Sequence, residues 1–158
     1  MAVHLDINNQ NGGRLPLQRG TLQRLAEKIY SGEGLTGAVG VSVLFCDDAF
    51  IAELNAQYRN KPESTDVLSF PQDSAGIPGL EPRLLGDVVL SMDTVCERCA
   101  NDRSAMRDEI LLLFCHGMLH LLGYVHDTAE AAEEMNRRQA QYLGLDLEAA
   151  WRPERNER

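Results

Sequence analysis

Positive charge is scarce in this sequence. Lys and Arg number 15 against 24 Asp and Glu, a formal net charge of −9. A protein that coats nucleic acid without specificity is basic, so broad phosphate binding is excluded, while a small, locally positive site is not. Long apolar runs are absent as well. The longest, residues 110–115, is far short of a membrane span. Residues 1–13 lack the basic start and apolar stretch of a secretion signal, so the expectation is a soluble, cytoplasmic protein. There is no internal repeat and no low-complexity segment. Cysteine is sparse: Cys46, Cys96, Cys99 and Cys115, two of them in apolar surroundings, suit reduced thiols better than a secreted disulfide framework.

What remains is ordinary globular composition. The 158 residues are 44% apolar, 25% charged and 6% aromatic, enough for one domain with a core and too little for two comfortable ones. Residues 2–7 alternate weakly, as an edge strand does. Leu22, Leu25, Ala26 and Ile29 follow helical spacing, closed by Gly32 and Gly34. Residues 40–45 read as a strand. Asp47 or Asp48 caps the next helix, with Ile51, Leu54 and Tyr58 as its expected inner face. Residues 66–70 and 85–90 read as two further strands. The connection at 71–84 holds three prolines and two glycines, and a loop of that length is usually functional or mobile. Helices follow at about 93–101, 104–122 and 128–143, with Gly144 ending the last. Two successive strands joined by a loop imply an antiparallel pair in a mixed sheet. The expected fold is α+β: a single domain over residues 1–150, about four strands packed with about five helices, and a frayed tail at 151–158.

Three of the four histidines fall within eleven residues: His116, His120 and His126. His116 and His120 are four apart on a predicted helix, so their rings share a face. Gly123 can turn the chain sharply and return His126 toward them. Three neutral imidazoles bind a divalent ion without cancelling its charge, and a tetrahedral ion with three protein ligands keeps one position for water. Such a water ionises near pH ~7 instead of ~15.7. Three histidines set by chance among Ile110, Leu111, Leu112, Leu113, Phe114, Leu119, Leu121 and Leu122 would instead be costly to bury. The spacing matches the metzincin signature H-E-x-x-H-x-x-G-x-x-H at every ligand and at the glycine, but Gly117 stands where the peptidase's glutamate would be. Without that carboxylate a peptidase lacks its general base.

The run His116-Gly117-Met118-Leu119-His120-Leu121-Leu122-Gly123-Tyr124-Val125-His126 resembles the H-G-x-L-H-L-x-G-Y-D-H signature of the YbeY family of metal-dependent endoribonucleases. Leu54-Asn55, Tyr58-Arg59, Thr65-Asp66-Val67-Leu68-Ser69-Phe70-Pro71 and Leu85-Gly86-Asp87-Val88 are similar to the family's other motifs, in order, from about residue 41 to 144. The resemblance implies a single-strand-specific endoribonuclease of ribosomal RNA maturation and ribosome quality control, acting on the 3′ end of the small-subunit RNA. Its implied cofactor is one divalent ion, expected to be zinc for an all-imidazole set. The implied partners are ribosomal RNA and the small subunit or its proteins, with neither DNA nor membrane. It also places the family's cleft arginine on Arg59, whose guanidinium would hold the scissile phosphate; as a last-turn residue it equally suits the helix dipole. Lys61 would add phosphate affinity or simply be solvated.

One position departs from the family pattern, Val125 in place of Asp. Asp127 either compensates by orienting a ligand or caps the last helix with Glu130. Thr65, Asp66 and Ser69 read as structural before catalytic. Glu109 is expected to be an ordinary polar position at a helix start. Cys96 and Cys99 lie inside a helix and read as incidental, and His4 as isolated. Two rival functions remain: a zinc peptidase of metzincin-like geometry, and a non-catalytic ribosome-assembly factor stapled by a structural metal.

Overall fold

Apolar residues at every second position build the central strands, and one helix with almost no polar face lies across them. The computed structural model describes residues 1–72, 79 and 81–150. Its elements run β1 (Val3–Asn9), α1 (Arg19–Gly32), β2 (Val39–Cys46), α2 (Asp48–Arg59), β3 (Val67–Pro71), β4 (Arg83–Ser91), α3 (Met92–Arg98), α4 (Arg103–Leu121) and α5 (Ala129–Leu143). Most of the expected 71–84 connection and the tail from 151 lie outside the described residues.

The sheet order is β1-β2-β4-β3. β1, β2 and β4 are parallel, and β3 runs antiparallel to β4 at the other edge. The expected α+β mixed sheet of four strands with five helices is therefore what forms. Val41, Val43 and Phe45 of β2, Val88 and Leu90 of β4 and Val67 of β3 face one side, where they meet α1, α4 and α5. Leu44, Cys46, Leu68, Phe70 and Val89 face the other, where α2 lies with Ile51 and Leu54. Gly86 lets β3 approach β4: at φ 142° a Cβ there would sit 2.2 Å from the Phe70 carbonyl oxygen. No helix of the described residues is long and apolar enough to cross a membrane.

Helix termini follow their side chains. Asp47, Ser91, Asp102 and Thr128 each accept a backbone N–H from the first turn of the helix they precede. Thr128, not Asp127, caps α5; both are good capping types, and the chain enters the helix one residue later than Asp127 would require. The inner face of α2 also differs from expectation. Ile51 and Asn55 are buried, while Leu54 is half-buried and Tyr58 is 61% exposed. Asn55 is drawn inward because its Nδ2 donates to the Glu63 carbonyl (2.9 Å), fixing the turn after α2. Glu109 is likewise no ordinary polar position. It is buried on α4 and bonded to Arg98 (2.6 Å), which also pairs with buried Asp66 at 3.0 Å. None of the four cysteines is in a disulfide; burial pushes the Cys46 thiol up to about 12.

Candidate metal centre

α4 is buried on nearly every side, so the helix that carries His116 and His120 is held as rigidly as the core. Its end is shaped by a Schellman turn. Leu122 is the C-cap, Gly123 N–H donates to the His120 carbonyl (3.0 Å) and Tyr124 N–H to the Leu119 carbonyl (3.0 Å). Gly123 takes φ 101°, a left-handed conformation that L side chains rarely adopt. The chain thereby doubles back, and His126 meets the two helical rings. One ligand nitrogen from each of His116, His120 and His126 lies within 4.8 Å of the others. Ring centroids are 4.5 Å (His116–His120), 5.0 Å (His120–His126) and 5.5 Å (His116–His126) apart. The predicted convergence of the three rings is therefore present.

The rings are also oriented. His120 Nδ1 is 2.8 Å from the Tyr124 carbonyl, which can only accept, so Nδ1 carries the proton and Nε2 the lone pair. That Nε2 is 3.0 Å from His116 Nε2. Two nitrogens bound to one tetrahedral ion at about 2.0–2.1 Å would be about 3.3 Å apart, so the spacing fits shared ligation with little adjustment. Burial pushes the His120 pKa down to about 4; the Tyr124 bond opposes this, and the nearby His126 and Arg59 charges reinforce it. The ring is neutral at pH 7, as a ligand must be. The donor set thus suits a divalent metal ion.

The cluster opens onto a cleft of about 360 Å³, whose lining includes Arg59, Ser69, Val125 and Asp127. Arg59 ends α2, and its Nη2 donates to the Ser69 carbonyl (3.0 Å), with the guanidinium carbon 6.0 Å from the Phe70 ring centroid. The same Ser69 donates its hydroxyl to the Gly117 carbonyl of α4 (3.2 Å). A single β3 residue therefore joins the arginine to the histidine helix. Gly117 itself faces the sheet: a Cβ there would lie 2.7 Å from Val88 Cγ1 and 3.1 Å from Ser69 Oγ. A glutamate at this position would wedge the helix off the sheet, so packing dictates the missing peptidase carboxylate.

Of the other expected residues, Lys61 sits in the turn after α2, where its N–H donates to the Asn55 carbonyl, and is not among the cleft-lining residues. Asp127, freed from capping, lines the cleft, and Val125 is half exposed at its rim. Asp66 and Glu109 belong to the Arg98 ion pairs. Sequence reasoning missed Gln139, whose Oε1 is 2.6 Å from His116 Nδ1. It lies on the stripe of α5 that also buries Met135 and Tyr142, which nothing about the glutamine itself announces.

Comparison with known proteins places the chain in a family. The family model described as Endoribonuclease YbeY matches residues 6–145. A protein named Endoribonuclease YbeY from Thermobifida fusca is 38% identical over 154 residues, covering 95% of each chain. One of the same name from Moorella thermoacetica is 39% identical over 130 residues, covering 78% of this chain and 83% of its own. The solution structure of TM1509 from Thermotoga maritima superposes with a TM-score of 0.56 at 26% identity, covering 98% of this chain and 95% of that one. With the family model spanning most of its length and these relatives matching at such identity, the chain belongs to the endoribonuclease YbeY family.

Proposed function

We propose that this protein is a metal-dependent endoribonuclease that cuts single-stranded RNA during ribosomal RNA maturation, at the 3′ end of the small-subunit RNA, in the cytoplasm. The observation that carries the reading is the placement of three imidazole nitrogens within 4.8 Å of one another on a cleft that an arginine also lines. His116, His120 and His126 hold one divalent ion, and an all-imidazole set favours zinc. Bound there, such an ion supplies Lewis-acid stabilisation of phosphoryl charge and a lowered pKa for water.

The chain's own residues supply the rest. Arg59 presents a planar fork of donors to the non-bridging oxygens of the scissile phosphate, where charge grows as phosphorus becomes five-coordinate. Its bond to the Ser69 carbonyl holds the side chain at the cleft. Lys61, one turn away, adds long-range attraction for the RNA backbone. The domain that carries this activity comprises residues 1–150, and the small ribosomal subunit or its proteins present the substrate. A peptidase reading is disfavoured by the packing at Gly117, which leaves no room for a glutamate.

Metal analysis and cleavage of small-subunit RNA fragments by wild type, His120→Ala and Arg59→Ala test the proposal. Wild type is expected to contain one divalent ion, zinc, and to cut. His120→Ala should lose both metal and cleavage. Arg59→Ala should keep its metal and lose cleavage by roughly 100-fold or more, about the value of one charge-stabilising donor. A metal-replete wild type with no cleavage to lose would favour the assembly-factor reading.

A further inference from the structure

We infer that Gln139 is a positioning residue for the metal centre: its amide, itself oriented by the Ala150 carbonyl, sets His116 in the tautomer that offers Nε2 to the ion. The inference rests on the reading of the three histidines as ligands and concerns how one of them is prepared.

Gln139 is 1% exposed on α5. Its Nε2 donates to the Ala150 carbonyl at 2.6 Å, and its Oε1 lies 2.6 Å from His116 Nδ1. A carbonyl oxygen only accepts, so the NH2 end of the amide must face Ala150 and the oxygen must face His116. That oxygen also only accepts, so His116 Nδ1 must carry the hydrogen. The lone pair is then on Nε2, the atom 3.0 Å from His120 Nε2. Turning the amide over would set two oxygens 2.6 Å apart and aim NH2 at the ring. The imidazole would then carry its hydrogen on Nε2 and be closed to a metal. Two bonds with fixed polarity thus transmit one choice from the backbone to the ligand atom.

His120 reaches the same tautomer by a different device, the Tyr124 carbonyl delivered by the Schellman turn. At His116 the choice passes through a side chain instead. The last link, Ala150, is held by a short turn in which Ala150 N–H donates to the Asp146 carbonyl (3.1 Å) and Ala149 N–H to Asp146 Oδ1 (2.8 Å). This turn begins one residue after the stretch that the family model matches.

The experiment uses the full chain stripped of metal by a chelator and checked for folding by circular dichroism. Zinc affinity is read by competition with a chromophoric chelator for wild type, Gln139→Leu and Gln139→Glu. The His116 tautomer is read from ring ¹⁵N shifts in the metal-free protein. Gln139→Leu is expected to bind zinc roughly 10- to 100-fold more weakly, with His116 a mixture of tautomers. Gln139→Glu keeps an acceptor on Nδ1 and, with its second oxygen protonated toward the Ala150 carbonyl, should restore affinity to within a few fold of wild type. Equal affinities for wild type and Gln139→Leu would overturn the inference, as would a hydrogen on Nε2 of His116 in the metal-free wild type, a measurement that needs no variant. A wild type that binds no zinc sinks the ligand reading instead, and the tautomer measurement still decides this one.

Discussion

A buried imidazole near a second one is a liability until something uses its lone pair. Burial holds His120 near pKa 4, against 6.5 for an ordinary imidazole, so the folded chain resists the proton that the unfolded chain accepts. The sign follows. Above about pH 6.5 neither state binds the proton and the contribution is complete; it is lost as pH falls through 6.5 toward 4. In metal-free protein, urea denaturation should show stability declining across that window, and His120→Gln should flatten the decline. A variant with the same slope as wild type would remove His120 as the cause. At this scale the three converging histidines were the most legible feature of the sequence. A four-residue spacing on a helix and a glycine before the third histidine translate directly into geometry. Gln139 was not legible, because a glutamine in a helix has no local signature, and only the fold shows that His116 and Ala150 flank it.

Elements meet at side chains whose partners lie far apart in sequence. Arg98, at the end of α3, reaches Asp66 before β3 and Glu109 on α4, both with side chains almost entirely buried. Its guanidinium is what makes two interior carboxylates tolerable, and the three-way tie sets α3 and α4 against the start of the cleft strand. Arg98→Met should cost about 3–5 kcal/mol in chemical denaturation, because it removes the cation paired with two buried carboxylates. Adding Asp66→Asn and Glu109→Gln to that variant should recover much of the loss. A single variant within 1 kcal/mol of wild type would show that the pairs contribute little. The sequence announced the helices and strands here by periodicity and turns, but not this tie. A polar residue near the start of a helix is usually solvated, and Glu109 looked like one. The same limit applies to α5, where Asp127 and Thr128 are both competent caps and only the path of the chain chooses between them.

For the whole molecule, a net charge of −9 opposes a polyanionic substrate. The four strands and the mixed sheet were readable, because hydrophobic alternation marks the strands and two successive strands joined by a loop imply an antiparallel pair; the sheet order was not. Nor was the way the surface charge is distributed. With Arg59 on the cleft and acid in excess overall, cleavage of a free RNA fragment should be weak and should fall steeply as salt rises from 50 to 200 mM, since the local attraction is screened. Turnover unchanged by salt would contradict this account. The position of Arg59 carries one more consequence. β3 is one of the two edge strands of the sheet, and the guanidinium occupies a backbone acceptor on its open side, at Ser69. The proposed phosphate-binding arginine thus also occupies an unpaired sheet edge that lines the cleft, where it would stand in the way of pairing with another copy. An inactive alanine variant would need to be shown monodisperse before its silence is credited to chemistry.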